Sequence, residues 1–211
     1  MDLFQKLIDL VLHLDTHVSV LIQQCGSWTY FIIFGVIFAE TGFVVTPLLP
    51  GDSLLFVLGT FAARGAFSPF ILAALLILAA VLGDSANYAI GKYLGNRLVH
   101  AKRAILKKEH LDRTHRFYQK YGGKTIILAR FVPIVRTFAP FVAGIGCMNY
   151  LKFFIYNVTG GILWVSIFLF GGFYFGNITV VKEHFSLVTL LIVGISIMPA
   201  IIEFFRARTK K

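Results

Sequence analysis

The chain has 211 residues, of which 57% are hydrophobic, 15% aromatic and only 14% charged, far from the averages of soluble domains. Its mean hydropathy of +0.79 excludes a disordered chain and argues against an ordinary water-soluble enzyme. The net charge of +10 does not indicate a nucleic-acid binder, because a chain with so little polar surface cannot stay in water to meet one. We therefore predict an all-α polytopic membrane protein with a single membrane domain.

The chain begins with residues 1–24, whose leucines and charged residues fall on opposite faces of a helix. This pattern predicts an amphipathic helix in the membrane interface, although a first helix packed against the bundle fits it nearly as well. Residues 28–66 contain two short apolar runs separated by Pro47, Pro50 and Gly51, which break any helix. We predict a re-entrant hairpin here, since such backbone at membrane depth must be covered by protein or water.

Residues 68–95 are apolar and long enough to span a membrane. The second half repeats the order of amphipathic segment, broken hairpin and span, and a further span and a basic tail follow: residues 97–124, 125–148, 150–176, 186–205 and 206–211. Pro133 and Pro140 are predicted to break the second hairpin. Because one full span separates the two hairpins, we expect them to enter from opposite faces, as in inverted-repeat transporters.

A short internal similarity supports the repeat. The first span contains Gly91-Lys-Tyr-Leu-Gly-Asn96 and the second contains Gly172-Phe-Tyr-Phe-Gly-Asn177. Glycines four residues apart are typical of closely packed membrane helices, and we predict that role for both pairs rather than ligand binding.

Basic residues predict the orientation. Residues 97–124 carry nine Lys or Arg and two acids, a net charge of +7, and four more basic residues lie in 206–211. Both segments are expected in the cytoplasm by the positive-inside rule. The N-terminal helix carries no comparable signal, so its side is left open.

Five ionisable residues remain at predicted membrane depth: Glu40, Asp52, Asp84, Arg130 and Arg136. Such a set opposes insertion by roughly 12 to 18 kcal/mol unless the charges pair or face water. Residues with that cost are functional candidates by default.

Arg130 and Arg136 lie on either side of Pro133. A straight helix would point them to different sides, so the proline break is what could let both guanidinium groups bind one anion. Two such groups suit the oxygens of a phosphate monoester better than a single carboxylate. The alternative is that each arginine only neutralises Glu40 or Asp52.

The acids have both functional and structural interpretations. Glu40 and Asp52 bracket the prolines of the first hairpin, and carboxylic acids held away from water can exchange protons near neutral pH. Asp52 could equally cap the returning half-helix. Asp84 either lines the same cavity or bonds to Tyr88 or Asn87 inside the bundle.

An enzyme is not expected. A membrane-embedded lipid phosphatase would need a histidine nucleophile near the arginines, and all six histidines fall in interfacial or loop segments. Cys25 and Cys147 have neither the number nor the spacing of a metal site or a disulfide framework, so we expect no metal and no cofactor.

Three motifs resemble those of the DedA family, also called SNARE-associated or VTT-domain proteins. They are ETGFVVTPLLPGDSLLF at 40–56, GDSANYAIG at 83–91 and RFVPIVRTFAPFVAG at 130–144, and the resemblance covers nearly the whole chain. It implies a bacterial inner-membrane protein with two opposed re-entrant hairpins, needed for envelope integrity and dependent on the proton-motive force.

The resemblance further implies transport of a polyprenyl phosphate, chiefly undecaprenyl phosphate, back across the membrane for reuse as a cell-wall lipid carrier. The essential acids of the family match Glu40 and Asp52, and its essential arginines match Arg130 and Arg136. We therefore expect a proton-coupled lipid flippase in which the arginines hold the headgroup and the acids respond to protons. Alternatives are a proton-coupled cation or small-solute transporter, and a phospholipid scramblase like the eukaryotic relatives. The exact lipid, the coupling ion and its stoichiometry, the direction of transport and homo-oligomerisation are left open.

Overall fold

The computed structural model of the protein describes residues 14–43, 51–100, 123–146 and 148–176, together with four isolated residues beyond them. All regular secondary structure in this part of the chain is helical, as predicted for a helical membrane protein. The predictions for residues 1–13, 101–122, most of 186–205 and 206–211, and for Pro47 and Pro50, lie outside the described residues.

The first helical run extends from Leu14 to Gly42. It consists of helix α1 (Leu14–Cys25), a 3₁₀ turn (Gly26–Trp28) and helix α2 (Thr29–Gly42). Gly26 interrupts the regular helix with a φ of +49°, and the Thr29 hydroxyl bonds back across the interruption to the Leu21 carbonyl at 3.1 Å. The sequence patterns predicted an interfacial helix in residues 1–24 and the first, half-length helix of a hairpin after residue 28. In the structure, the 29 residues from Leu14 to Gly42 form one run that is long and apolar enough to cross a membrane.

Helix α3 (Gly51–Ala63) and helix α4 (Pro69–His100) follow the first predicted break. A tight turn joins them at Gly65, which has a φ of +83°. Tyr30 of α2 holds this turn, because its hydroxyl accepts a hydrogen bond from the Ser68 backbone at 3.0 Å and its ring meets Phe67 edge-on at 5.1 Å. Residues 69–95 of α4 are long and apolar enough to span, in agreement with the predicted span.

A break separates helix α5 (Lys124–Ala129) from helix α6 (Pro133–Ile145). Pro133 begins α6, where a missing backbone N–H costs nothing, so the predicted break at this proline is confirmed. The predicted break at Pro140 is wrong, because Pro140 lies inside α6. Its ring removes only the bond to the Arg136 carbonyl, and α6 continues through it to Ile145.

The last described helices form one run over the predicted span 150–176. Helix α7 (Tyr150–Val165) passes through a π-helical segment (Ser166–Phe170) into helix α8 (Gly171–Phe175). Together these 26 residues are long and apolar enough to cross a membrane.

Contacts divide the described chain into two compact units. The first contains residues 14–36, 51–76 and 163–176, and the second contains residues 37–43, 77–100, 123–146 and 148–162.

Within the first unit, α3 packs directly against the run from the π segment to α8. A Cβ added at Gly59 would lie 2.0 Å from the Leu169 carbonyl oxygen, and one at Gly172 would lie 2.0 Å from that of Phe56. One at Gly176 would meet the Thr60 side chain at 2.1 Å. Only glycine allows the backbones to approach this closely.

Within the second unit, α6 packs against α4 with the same spacing of residues. Added Cβ atoms at Gly144 and Gly91 would lie 2.1 Å and 2.2 Å from the carbonyl oxygens of Tyr88 and Phe141, and one at Gly95 would meet Ile145. Each unit thus pairs a short helix after a predicted break with one of the two glycine motifs. The predicted packing role of both motifs is confirmed.

Side chains exposed on the helices are largely apolar. Among them are large residues more than 60% exposed, which a membrane rather than water would cover: Trp28, Phe31, Phe70, Ile71, Leu128, Leu151 and Tyr174.

Candidate functional site

Glu40 and Arg136 form a buried ion pair in the second unit. Glu40 lies at the end of α2 and Arg136 in the first turn of α6, and their side chains are 0% and 3% exposed. The Arg136 guanidinium donates a hydrogen bond to Glu40 Oε1. Breaking such a pair by removing one partner costs far more than a surface ion pair contributes, because the remaining charge stays buried.

Asn87 of α4 fixes the two backbones that carry this pair. Its amide nitrogen donates to the carbonyl oxygens of Thr41 at 3.2 Å and Thr137 at 2.7 Å, each one residue beyond Glu40 and Arg136. Gly83 allows α2 to approach α4, because a Cβ at this position would lie 1.9 Å from the Thr41 hydroxyl. The ion pair is therefore positioned by three helices and not by its own charges alone.

Arg130 lies in the break between α5 and α6 and reaches α4 and α7. It is 2% exposed and donates to Asp84 Oδ2 and to Asn157 Oδ1, both at 2.5 Å. Asn157 in turn donates to the Val81 carbonyl at 3.0 Å. The arginine side chain passes Gly160 and Gly161 of α7, where an added Cβ would lie 3.2 Å from Arg130 Cδ and 3.6 Å from Nη1.

The two arginines belong to one electrostatic cluster. Arg136 is near enough to both Arg130 and Asp84 to interact electrostatically with them. Together with Glu40 and Asp84, they make a buried set of two cations and two anions. Since the set is balanced, either a proton added to an acid or an anion added to the arginines changes which charges pair.

Asp52 has a different partner and lies in the first unit. It falls in the first turn of α3, one residue after the helix begins, and is therefore not the N-cap that the sequence allowed. The buried indole of Trp164 donates from Nε1 to Asp52 Oδ1 at 2.7 Å. This bond links α3 to the end of α7, and both side chains are almost inaccessible.

Within the second unit, the structure brings together four of the five predicted charges, namely Glu40, Asp84, Arg130 and Arg136. The pairing differs from the predicted alternatives, because Arg130 binds Asp84 and Asn157, whereas Arg136 does bind Glu40. Asp84 bonds to Arg130 and not to Tyr88 or Asn87. Gly51 begins α3 and is buried, beside the predicted break.

The sequence patterns missed two polar residues of these networks, Asn157 and Trp164, and gave Asn87 only as a partner of Asp84. A signal was present for both amides, since each is a polar group in a predicted span and must be hydrogen-bonded to be tolerated there. Nothing in the sequence pairs Trp164 with Asp52, which are 112 residues apart.

No group of three or more His, Cys, Asp or Glu side chains among the described residues is arranged to hold a metal ion. The donor set of the cluster, two guanidinium groups and two carboxylates, instead suits an anion and a proton.

Comparison with known proteins agrees with the motifs. The VTT domain profile matches residues 49–174. The chain is 49% identical to Protein DedA of Escherichia coli, over 98% of this chain and 95% of that protein. It is 39% identical to an uncharacterized membrane protein of Mycobacterium leprae, over 79% and 75% of the two chains. It is 35% identical to the inner membrane protein YqjA of Escherichia coli, over 74% and 71%. No solved structure matches.

Proposed function

Because the chain belongs to the DedA family of VTT-domain membrane proteins, we propose that it is a proton-coupled lipid flippase of the bacterial inner membrane. Its cargo is a polyprenyl phosphate, chiefly undecaprenyl phosphate. The protein moves this lipid across the membrane for reuse in envelope synthesis. The observation that carries the proposal is the buried, charge-balanced cluster of Glu40, Asp84, Arg130 and Arg136 in the second unit.

The chemistry of the cargo fits this cluster. The polyprenyl chain never has to leave hydrocarbon, so only the phosphate needs a polar path. A phosphate monoester carries about −1.5 to −2 charges near neutral pH and accepts several hydrogen bonds. Two guanidinium groups supply that many donors in a fixed geometry.

Protons enter through the acids that hold the arginines. Protonation of Glu40 removes its negative charge and makes the Arg136 guanidinium available to a phosphate oxygen. Loss of that proton restores the ion pair and expels the headgroup. Asp52 serves as a second proton site, with the Trp164 indole as the donor that fixes its carboxylate. Re-entrant placement of the helices on either side of the two breaks would let the headgroup pass without a full-length polar channel.

The test is transport by the purified full-length protein in phosphatidylcholine proteoliposomes that contain undecaprenyl phosphate. We expect the double variant Arg130→Gln/Arg136→Gln to lose transport, and the control Arg64→Gln, an exposed arginine, to keep it. A pH gradient should accelerate wild-type transport.

Three outcomes would contradict the proposal. Unchanged lipid transport by the double arginine variant would exclude the cluster as the headgroup site. Flux of a cation without lipid movement would favour the cation transporter. Equal movement of neutral phospholipids without any effect of a pH gradient would favour a scramblase.

A further inference from the structure

A groove on the second unit lies outside the ion-pair cluster. It has a volume of about 460 Å³ and is lined by Ser85, Tyr88, Ala89, Lys92, Tyr93 and Tyr150; we call it the Lys92 groove. Five of these residues follow the spacing i, i+3, i+4, i+7 and i+8, so they share one face of α4. Tyr150 at the start of α7 forms the opposite wall.

The walls of the groove are largely aromatic. The Tyr88 ring stacks on Phe153 with centroids 4.6 Å apart and meets Tyr150 at 5.5 Å. The Tyr88 hydroxyl donates to the Met148 carbonyl, which fixes the start of α7 against α4.

Lys92 is the only cation in the lining, and it is exposed. It forms no ion pair with any residue that the structure describes. Lys92 lies beside two tyrosines that are 57% and 47% exposed, and together they provide charge and hydrogen bonds for an anion.

The surroundings of the groove identify the kind of anion. Apolar side chains are exposed on both helices that line it, among them Ile90, Leu94, Leu151 and Ile155. A surface of this composition faces hydrocarbon rather than water, so a water-soluble ion does not reach it readily. An amphiphile with an anionic head and a hydrocarbon tail fits both parts.

Hydrogen bonds connect the inner end of the groove to the ion-pair cluster. Ser85 Oγ accepts from the Asn157 amide at 3.4 Å, and Asn157 Oδ1 accepts from Arg130 at 2.5 Å. Lys92 lies about 10 Å further along α4 than Ser85, at 1.5 Å per residue. Ser85, which lines the groove together with Lys92, is therefore linked through Asn157 to Arg130.

We propose that the Lys92 groove is the lateral entrance for the lipid, in which Lys92 receives the phosphate headgroup and the tyrosine walls hold the first part of the chain. The headgroup then passes Ser85 and Asn157 to Arg130. This inference rests on the proposed function, because it assigns to the same cargo a first binding site separate from the cluster.

The experiment measures initial transport rates against the content of undecaprenyl phosphate in phosphatidylcholine proteoliposomes. We expect Lys92→Gln to raise the apparent KM about fivefold with kcat unchanged, the effect of one basic residue near an anionic lipid. Lys92→Arg should restore the KM. The matched control is Lys152→Gln, an exposed lysine of α7 outside the groove, which should leave the KM unchanged.

A second pair of variants does not depend on charge. Ala89→Trp fills the groove, whereas Ala74→Trp makes the same substitution at an exposed alanine of α4 outside the lining. In wild-type vesicles, a photoreactive polyprenyl phosphate should crosslink to residues 85–93. Ala89→Trp should abolish that crosslink and Ala74→Trp should retain it. A tenfold excess of inorganic phosphate or of the uncharged polyprenol should not compete.

These results separate the proposed entrance from the proposed function. An unchanged KM in Lys92→Gln, or a crosslink that survives Ala89→Trp, would overturn the proposal that the Lys92 groove is the lipid entrance. Displacement of the label by inorganic phosphate or by the polyprenol would overturn it as well. If the wild type moves no lipid, the proposed function fails, while the crosslink still reports whether the groove binds a lipid phosphate.

Discussion

At the scale of single residues, the polar groups of the described helices are organised around two arginines. Arg136 binds Glu40, and Arg130 binds Asp84 and Asn157. Asn87 ties together the backbones next to Glu40 and Arg136. The buried charges are therefore compensated within the protein. Binding of a phosphate to the arginines, or of a proton to an acid, would replace one of these ion-pair partners.

The ion pair of Glu40 and Arg136 predicts strong non-additivity. We expect Glu40→Gln and Arg136→Gln each to lower the free energy of unfolding by about 3 to 5 kcal/mol, because each leaves one buried charge without its partner. The double variant should lose much less than the sum. Thermal or denaturant unfolding of the detergent-solubilised protein measures all three. Losses that add to within about 0.5 kcal/mol would show that the two side chains are not coupled.

At the scale of elements, the same helix contact occurs once in each unit. Phe56, Gly59 and Thr60 of α3 meet Leu169, Gly172 and Gly176, and with identical spacing Phe141, Gly144 and Ile145 of α6 meet Tyr88, Gly91 and Gly95. The second helix of each predicted hairpin thus packs against the span in the other half of the sequence: α3 packs against the run that ends in α8, and α6 packs against α4. The equivalent contacts relate the two halves of the sequence, and the opposed orientation of the two halves stays a prediction.

The glycine contacts predict a sharp positional effect. Gly172→Ala and Gly91→Ala should each destabilise the protein by about 1 to 3 kcal/mol or more, because the new methyl group meets a backbone carbonyl oxygen and a helix must shift. The control is Gly171→Ala, next to the first of them, where an added Cβ has no neighbour within 4 Å. Melting temperatures in detergent compare the three. An equal effect of Gly171→Ala would attribute the loss to the helix and not to the contact.

At the scale of the whole molecule, three helical runs are long and apolar enough to cross a membrane, and the family relationship agrees with a multi-pass membrane protein. Residues 97–124 and 206–211 carry net charges of +7 and +4, and the rest of the chain carries −1, which together give the net charge of +10. That charge concerns orientation and attraction to anionic lipid surfaces, whereas the buried cluster of Glu40, Asp84, Arg130 and Arg136 is neutral. The four buried, balanced charges therefore indicate the cargo, whereas the large excess of basic residues does not.

The orientation of these segments can be measured with single cysteines. In a chain with Cys25 and Cys147 replaced by Ser, we expect His110→Cys and Lys210→Cys to be protected from a membrane-impermeant maleimide in intact spheroplasts. Both should react after permeabilisation, because the positive-inside rule assigns both segments to the cytoplasm. Labelling of either one in intact spheroplasts would contradict that orientation.

The sequence by itself determined the membrane class, the spans at 68–95 and 150–176, the break at Pro133, the packing role of both glycine motifs and the five charges at predicted membrane depth. These follow from local properties, namely run length, proline chemistry and the cost of a charge in hydrocarbon. Tertiary structure decided that Pro140 stays inside α6, that Arg130 binds Asp84 and Asn157, and that Asp52 binds Trp164. Partners 27 to 112 residues apart depend on how the helices pack, and the spacing of the glycines predicts close packing without indicating which helix packs against each motif.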